Sequence, residues 1–291
     1  MDGTALLANS RASSPARAME TRLKSILLHI QDDSTLEDRL QMALSIARTT
    51  GAHLKCLQIT PIEAYVILET FGIIGLDRAM ERIDAQEEKL RSGLERRLRL
   101  EDVSWDYEVI AGYPAQALIQ QAALSDLLIA TRSAHQALAQ RPQLAILGDI
   151  LDAIRTPLLV PGSTGRAINL FGTAIIAWNG SLESANAVRA SIDFLKLASN
   201  VQVIRLTEEK DVSFPDTRLT EYLSRHGVHA ELDIRRVRRD FAADLIECAS
   251  LYDASYLVMG GYGHGRAGEY IFGGVTRELL KDCPASLIVA H

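Results

Sequence analysis

The sequence predicts an α/β protein with two tandem domains, each an open, mostly parallel five-stranded sheet with helices on both faces. Short runs of consecutive apolar residues alternate with segments of helical length along the 291 residues. Continuous apolar runs are typical of strands buried on both faces, and strands that alternate with helices predict parallel βαβ connections. The same order of runs and helical segments occurs twice, which predicts one unit repeated in tandem.

The first unit contains five predicted strands and the helical segments between them. Its apolar runs lie at 24–30, 52–59, 109–110, 126–130 and 157–160. Apolar residues at 3.6-residue spacing between positions 40 and 47 predict the helix after the first strand. The charged segment 76–100 predicts a second helix with a solvated face, and Pro114 suits the first turn of a third.

The second unit repeats this order. Its strands are predicted at 174–178, 201–206, before Val237, 256–260 and 286–289. Apolar spacing predicts a helix over 187–195, with Ser184 as its capping residue, and another over 241–250. A last helix is predicted to begin near Gly274, with Leu279 and Leu280 on its buried face.

A turn-rich segment separates the two units. Residues 161–165 read Pro-Gly-Ser-Thr-Gly and predict a short linker between a domain at 22–161 and a domain at 166–291. Residues 1–21 are rich in Ala, Ser and Arg but lack the apolar core of a secretory signal, which predicts a disordered tail. Both Met1 and Met19 are compatible with the start of translation.

Composition and charge disfavour several classes of protein. The chain has 31 Lys and Arg against 37 Asp and Glu, a net charge of −6 that disfavours general nucleic-acid binding. Since no apolar run is long enough to cross a bilayer, no membrane association is expected. Cys56, Cys248 and Cys283 lie far apart without CxxC spacing, which excludes a disulfide scaffold and predicts a cytoplasmic location.

Glycines are concentrated between the predicted fourth strand and last helix of the second unit. They are Gly260, Gly261, Gly263, Gly265, Gly268, Gly273 and Gly274. A glycine backbone can approach a ligand closely, and a helix N-terminus offers unpaired N–H groups and a partial positive charge. In open parallel sheets, ligands bind beyond the carboxyl ends of strands where the strand order reverses. The cluster therefore predicts an anion-binding loop.

This segment resembles a known family. The spacing Gly260-x2-Gly263-x9-Gly273 is similar to the glycine loop of the universal stress proteins, and residues 176–181 and 272–277 also resemble that family. The resemblance covers nearly the whole chain as a tandem pair of domains. It implies a flavodoxin-like, adenine-nucleotide alpha-hydrolase-like fold for each domain.

The resemblance also implies a function: a regulatory stress-response protein that binds ATP or AMP in its second domain, with Mg²⁺ as a companion of ATP. The residues that it implicates are Asn179, Leu206, Met259, Gly260, Gly263, His264, Gly273, Gly274 and Val275. It further implies that the terminal strands at 157–160 and 286–289 pair in an internal pseudo-dimer of the two domains, with a homodimer left open. No general base for hydrolysis stands out, so turnover is expected to be slow at most.

The sequence departs from the family pattern in both domains. Gly274 stands where the family has Ser or Thr, and Asn179 stands where it has an acidic residue. Each loss of a neutral hydrogen bond costs about 0.5–1.5 kcal/mol, so together they weaken binding about tenfold. The first domain lacks the glycines, and Asp149 is expected at the start of its last helix, where it would repel phosphate. The first domain is therefore expected to be a packing partner without nucleotide.

Alternatives remain open for the glycine cluster and for the function. Gly263, Gly265 and Gly268 also satisfy a dinucleotide-binding fingerprint, but only one strand follows them. His226 and His229 have the spacing of part of a metal site, although surface histidines satisfy the same pattern. The rival functions are a ligand-free interaction scaffold with a relic loop, and an adenylate-using enzyme of related architecture.

Overall fold

The computed structural model describes residues 21–61, 76–132, 143–164, 168–208, 216–261 and 274–291. The strands in these ranges are β1 (Ser25–Ile30), β2 (His53–Pro61), β3 (Trp105–Gly112), β4 (Leu127–Ile129), β5 (Leu158–Val160), β6 (Thr173–Ala177), β7 (Asn200–Thr207), β8 (Ala230–Arg236), β9 (Ala254–Gly260) and β10 (Ser286–Ala290). The helices are α1 (Leu36–Thr50), α2 (Leu76–Leu98), α3 (Pro114–Ala122), α4 (Gln143–Ala153), α5 (Leu182–Ala190), α6 (Ile192–Leu195), α7 (Thr217–Arg225), α8 (Phe241–Leu251) and α9 (Gly274–Asp282). The tail predicted at 1–21 lies almost wholly outside the described residues.

The strands form one ten-stranded sheet in the order β3-β2-β1-β4-β5-β10-β9-β6-β7-β8. Within each half every neighbouring pair is parallel, so the predicted α/β class is confirmed. Each half has the order 3-2-1-4-5, which differs from the 2-1-3-4-5 order of flavodoxin itself. The strand order therefore reverses between β1 and β4 in the first half, and between β6 and β9 in the second.

The halves meet where β5 and β10 pair antiparallel, with Val160 opposite Leu287 and Leu158 opposite Val289. These are the two terminal strands whose pairing the family resemblance implied. Because each strand would otherwise expose an unpaired edge, their pairing turns two five-stranded sheets into one. Arg132, just after β4, also crosses the junction and donates a hydrogen bond to the Lys281 carbonyl oxygen, 3.1 Å away in the last turn of α9.

The segment predicted as a linker is packed against the second half. Ser163 N donates to the Cys283 carbonyl oxygen at 2.9 Å, and Thr164 Oγ1 donates to the Pro284 carbonyl oxygen at 3.2 Å. A Cβ atom at Gly162 would lie 2.0 Å from the same Pro284 oxygen, so only glycine fits there without a backbone shift. Residues 162–164 thus form part of the junction between the halves.

Helices cover both faces of the sheet and enclose two apolar clusters. One face carries α1, α2, α5, α6 and α7, and the other carries α3, α4, α8 and α9. Both clusters draw side chains from both halves of the chain, so the core is continuous across the junction. Among the described helices, none combines the length and the apolarity that a membrane span requires.

Two predictions about helix starts were wrong. Ser184 was expected to cap the helix over 187–195, but the cap is Ser181, whose Oγ accepts a hydrogen bond from Ser184 N at 3.1 Å. That helix is also interrupted at buried Ser191, where α5 ends and α6 begins. Asp149 was expected at a helix start but lies inside α4, because the helix already includes Gln143, the first described residue of this segment. The repulsion of phosphate that was inferred from Asp149 therefore has no structural basis.

Candidate functional site

The carboxyl ends of three adjacent strands, β7, β6 and β9, form the candidate site in the second half. Ala177 near the end of β6 is in register with Ile204 of β7 and with Met259 of β9. Asn179 follows β6, and Leu206 lies near the end of β7. The structure thus places together Asn179, Leu206 and Met259, three of the residues that the family resemblance implicated. Gly263, His264 and Gly273 lie outside the described residues.

Asn179 is exposed, and its side chain shapes the turn that leads into α5. Its Oδ1 accepts a hydrogen bond from Ser181 N at 3.1 Å, and Gly180 between them has a φ of 75°. A positive φ at this position favours glycine, because a Cβ would clash with the backbone. The turn presents the Asn179 side chain at the sheet edge and leads directly to the Ser181 cap of α5.

Met259 and Leu206 are buried in the same apolar cluster, on one face of the sheet. Their side chains pack in the core, so only their backbone groups are available to a ligand at the sheet edge.

Gly260 has a packing reason to be glycine. A Cβ atom there would lie 2.7 Å from both the carbonyl carbon of Glu183 and the amide nitrogen of Ser184. Those are backbone atoms in the first turn of α5, so the end of β9 and the start of that helix are in close contact. Close helix–strand packing is one of the roles that glycines have in nucleotide-binding loops.

Gly274 is the first described residue of α9, which agrees with the predicted start near this position. A Cβ atom there would meet no described atom within 4 Å. The next residue, Val275, packs against the apolar cluster that also contains Leu279 and Leu280, which anchors the helix. The first turn of a helix has N–H groups without an intrahelical partner, so the start of α9 offers donors that a ligand could use.

Sequence reasoning missed Trp178, which lies directly before Asn179. The indole is 6% exposed, and its buried Nε1 makes no hydrogen bond to any described residue. A buried N–H without an acceptor is costly. The only signal in the sequence was a tryptophan at the end of a predicted buried strand.

The cysteines are buried, and His226 and Arg235 each contact a neighbouring side chain. All three cysteines are buried, and burial raises the pKa of each thiol, that of Cys56 to about 12, so none is a reactive thiolate at neutral pH. His226 packs its ring 4.5 Å from the Tyr222 ring, and the described residues hold no cluster of three or more metal-ligating side chains. Arg235 on β8 forms an ion pair with Asp233 of the same strand.

Comparison with known proteins gives matches for the structure of the chain but none for its sequence. No protein-family model matches the chain, and no curated protein matches it either. A universal stress protein from Archaeoglobus fulgidus superimposes with a TM-score of 0.72 at 12% identity, covering 92% of this chain and 96% of that one. The chain has the universal stress protein fold.

Two further structures extend this comparison. A putative universal stress protein from Pseudomonas aeruginosa matches with a TM-score of 0.56 and 18% identity, covering 92% of this chain and 93% of its own. The cytoplasmic domain of a prokaryotic cation chloride cotransporter matches with a TM-score of 0.50 and 11% identity, covering 92% of this chain and 95% of its own. At these identities the universal stress protein fold is shared, and the function has to be argued from the site.

The first half of this universal stress protein fold has a different side-chain arrangement at the corresponding place. Thr35 is the N-cap residue of α1, as Ser181 is of α5. Asp33 Oδ1 accepts a hydrogen bond from Thr35 N at 2.7 Å, as Asn179 Oδ1 accepts one from Ser181 N. Thr131, which follows β4 as Gly260 ends β9, is buried with its Oγ1 3.2 Å from Thr35 Oγ1.

A buried arginine fills the remaining space. Arg39 on α1 is fully buried and donates to Asp33 Oδ1 at 2.9 Å, to Thr35 Oγ1 at 2.6 Å and to the Gln31 carbonyl oxygen at 3.1 Å. Burial alone would raise the pKa of Asp33, but the hydrogen bond and charge of Arg39 outweigh it and hold the pKa below the usual range. The side chains of Asp33, Thr35, Arg39 and Thr131 at this edge are thus hydrogen-bonded to one another.

Proposed function

We propose that the protein is a regulatory stress-response protein of the cytoplasm that binds an adenine nucleotide, ATP or AMP, in its second half. The observation that supports it most is the meeting of the carboxyl ends of β7, β6 and β9 where the strand order reverses. The universal stress protein fold supports the same proposal, and one of the solved structures with this fold is a universal stress protein by name. Mg²⁺ would accompany ATP as its counter-ion.

The nucleotide would lie across the ends of the three strands. Its phosphates would face the N–H groups at the start of α9, where the helix dipole favours negative charge. The base would lie near Asn179 and the backbone of Leu206. The amide of Asn179 can both donate and accept, although its oxygen already accepts from Ser181 N.

The first half is proposed to lack this activity. Arg39 and Asp33 form a buried ion pair at this edge of the first half, and Thr131 stands where the second half has Gly260. A nucleotide would have to break buried hydrogen bonds to enter there, each costing the desolvation of its partner.

Replacement of Gly263 with Val is expected to abolish ATP binding, because a branched side chain in the glycine loop would block the approach of the phosphates. Isothermal titration with ATP and with AMP, each with and without Mg²⁺, measures this directly. Wild-type protein at a hundredfold excess of ligand over Kd should also gain about 2.7 kcal/mol of stability.

The matched control is Gly112→Val, at the end of β3, where a Cβ atom would meet nothing within 4 Å. This variant should bind ATP as wild type does. Wild-type protein that shows neither heat nor stabilisation at millimolar nucleotide would favour the scaffold function. Sustained turnover with a co-substrate would favour the enzyme.

Gly274→Ser is expected to tighten ATP binding by about two- to tenfold, since it restores a hydroxyl donor worth about 0.5–1.5 kcal/mol. A Cβ atom at Gly274 would meet no described atom within 4 Å. The ratio of Kd values from titration calorimetry is the measurement, and an unchanged or weaker affinity would argue against phosphate binding at the start of α9.

A further inference from the structure

A groove between the two halves contains three arginines that have no ion-pair partner among the described residues. It consists of two adjoining cavities of about 350 and 360 Å³, and Arg22, Arg155 and Arg189 line both. Arg22 and Arg155 belong to the first half, in segments just before β1 and β5, whereas Arg189 belongs to α5 of the second half. The groove therefore exists only where the halves are joined.

The three guanidinium groups stand out against the charge pattern of the protein. The chain carries a net charge of −6, and many of its described arginines, such as Arg48, Arg97 and Arg238, pair with a carboxylate. The side chains of Arg22, Arg155 and Arg189 make no hydrogen bond or ion pair with any residue in the described ranges. Like charges that line one groove repel one another, so an anion bound in the groove would stabilise the arrangement.

The acidic residues that line the groove have other partners. Asp126 Oδ2 accepts hydrogen bonds from Lys24 N at 2.7 Å and from Ser25 N at 3.0 Å. Asp193 Oδ2 accepts from the backbone N of Arg22 at 2.6 Å, and its Oδ1 lies 3.6 Å from Lys196 Nζ. Neither carboxylate forms an ion pair with the three guanidinium groups.

The remaining lining defines the class of ligand. Leu23, Ile192 and Phe194 give the first cavity an apolar wall, whereas Asn186, Tyr222 and His291 line the second. Volumes above 300 Å³ are typical of small-molecule sites, and guanidinium forks match the oxygens of a phosphoryl group. We propose that this groove is a binding site for a small organic phosphate, separate from the edge formed by β7, β6 and β9.

Titration calorimetry with sodium pyrophosphate tests the anionic part of this site. Wild-type protein at low ionic strength should show saturable binding that weakens as salt screens the charges. The Arg155→Gln/Arg189→Gln double variant should bind at least tenfold more weakly, and Arg22→Gln should also bind more weakly. All three side chains are exposed, so thermal midpoints close to that of wild type are expected.

Two controls separate this site from others. Arg99→Gln, at an exposed arginine directly after α2 that does not line the groove, should bind pyrophosphate as wild type does. Gly263→Val should also retain binding, because the described glycines of the loop, Gly260, Gly261 and Gly274, do not line the groove. Absence of saturable binding, equal binding by the double variant, or loss of binding in Gly263→Val would overturn the proposal. Tighter binding of citrate than of pyrophosphate would overturn the assignment to phosphoryl groups.

Discussion

Replacing Arg39 with Ala is expected to destabilise the folded protein by about 3–5 kcal/mol, because removal of one partner leaves the other charge buried and uncompensated. Arg39 is fully buried and makes three hydrogen bonds at the start of α1, one of them 2.9 Å from Asp33 Oδ1. The substitution also leaves a cavity in a close-packed region. Equilibrium urea unfolding followed by circular dichroism measures the effect.

Arg99→Ala is the matched control, since Arg99 is exposed and its Nη2 lies 3.4 Å from Glu95. Surface pairs of this kind contribute little, so no measurable change is expected. A change below about 1 kcal/mol for Arg39→Ala would contradict the buried ion pair, because such pairs lose several kcal/mol when one partner is removed.

The same ion pair predicts a dependence on pH. The pKa of Asp33 in the folded protein is below its unfolded value, so its contribution to stability is fully present above the unfolded pKa of about 4. That contribution is lost as the pH falls through the folded pKa. Other carboxyl groups titrate in the same range, so the measurement is the difference between wild type and Asp33→Asn. The loss of stability below pH 4 should be smaller in the variant.

Replacing Gly162 with Ala is expected to cost about 3 kcal/mol, at the upper end of the range for overpacking. The added Cβ would lie 2.0 Å from the Pro284 carbonyl oxygen and 2.9 Å from the Ala285 carbonyl carbon. Both are backbone atoms directly before β10, so the clash cannot be relieved by rotating a side chain. The junction between the halves must shift instead.

Gly112→Ala provides the comparison, because a Cβ atom there would meet nothing within 4 Å. It should leave the unfolding midpoint close to that of wild type. If Gly162→Ala also unfolds at the wild-type midpoint, residues 162–164 are not packed on the segment before β10. A midpoint that falls only for Gly162→Ala would support the junction described above.

Much of the fold could be predicted because local patterns carry it. The apolar runs and helical spacing located the strands of both halves, and Gly274 was correctly expected to begin the last helix. The cap of α5 was missed because Ser181 and Ser184 both suit a helix start, and only the backbone conformation distinguishes them. Asp149 was misplaced because no local signal showed that α4 extends back at least to Gln143.

The candidate site was partly predictable. The ends of parallel strands converge at one edge, so Asn179, Leu206 and Met259 could be placed together from their positions after predicted strands. The close contact of Gly260 with the first turn of α5 could not be predicted, because it joins residues far apart in the sequence. The same limit applies to Arg39, which looks like any other charged helical residue until its burial is known.

The sequence by itself determined the repeated α/β unit, its strands and the glycine-rich segment, because periodicity and backbone preference are local properties. Only the tertiary structure decided that β5 and β10 join the halves into one sheet, that Arg39 and Asp33 fill the edge of the first half, and that Arg22, Arg155 and Arg189 share a groove. Those features depend on contacts between distant segments, and the free energy of such contacts is set by burial and geometry that no local pattern encodes.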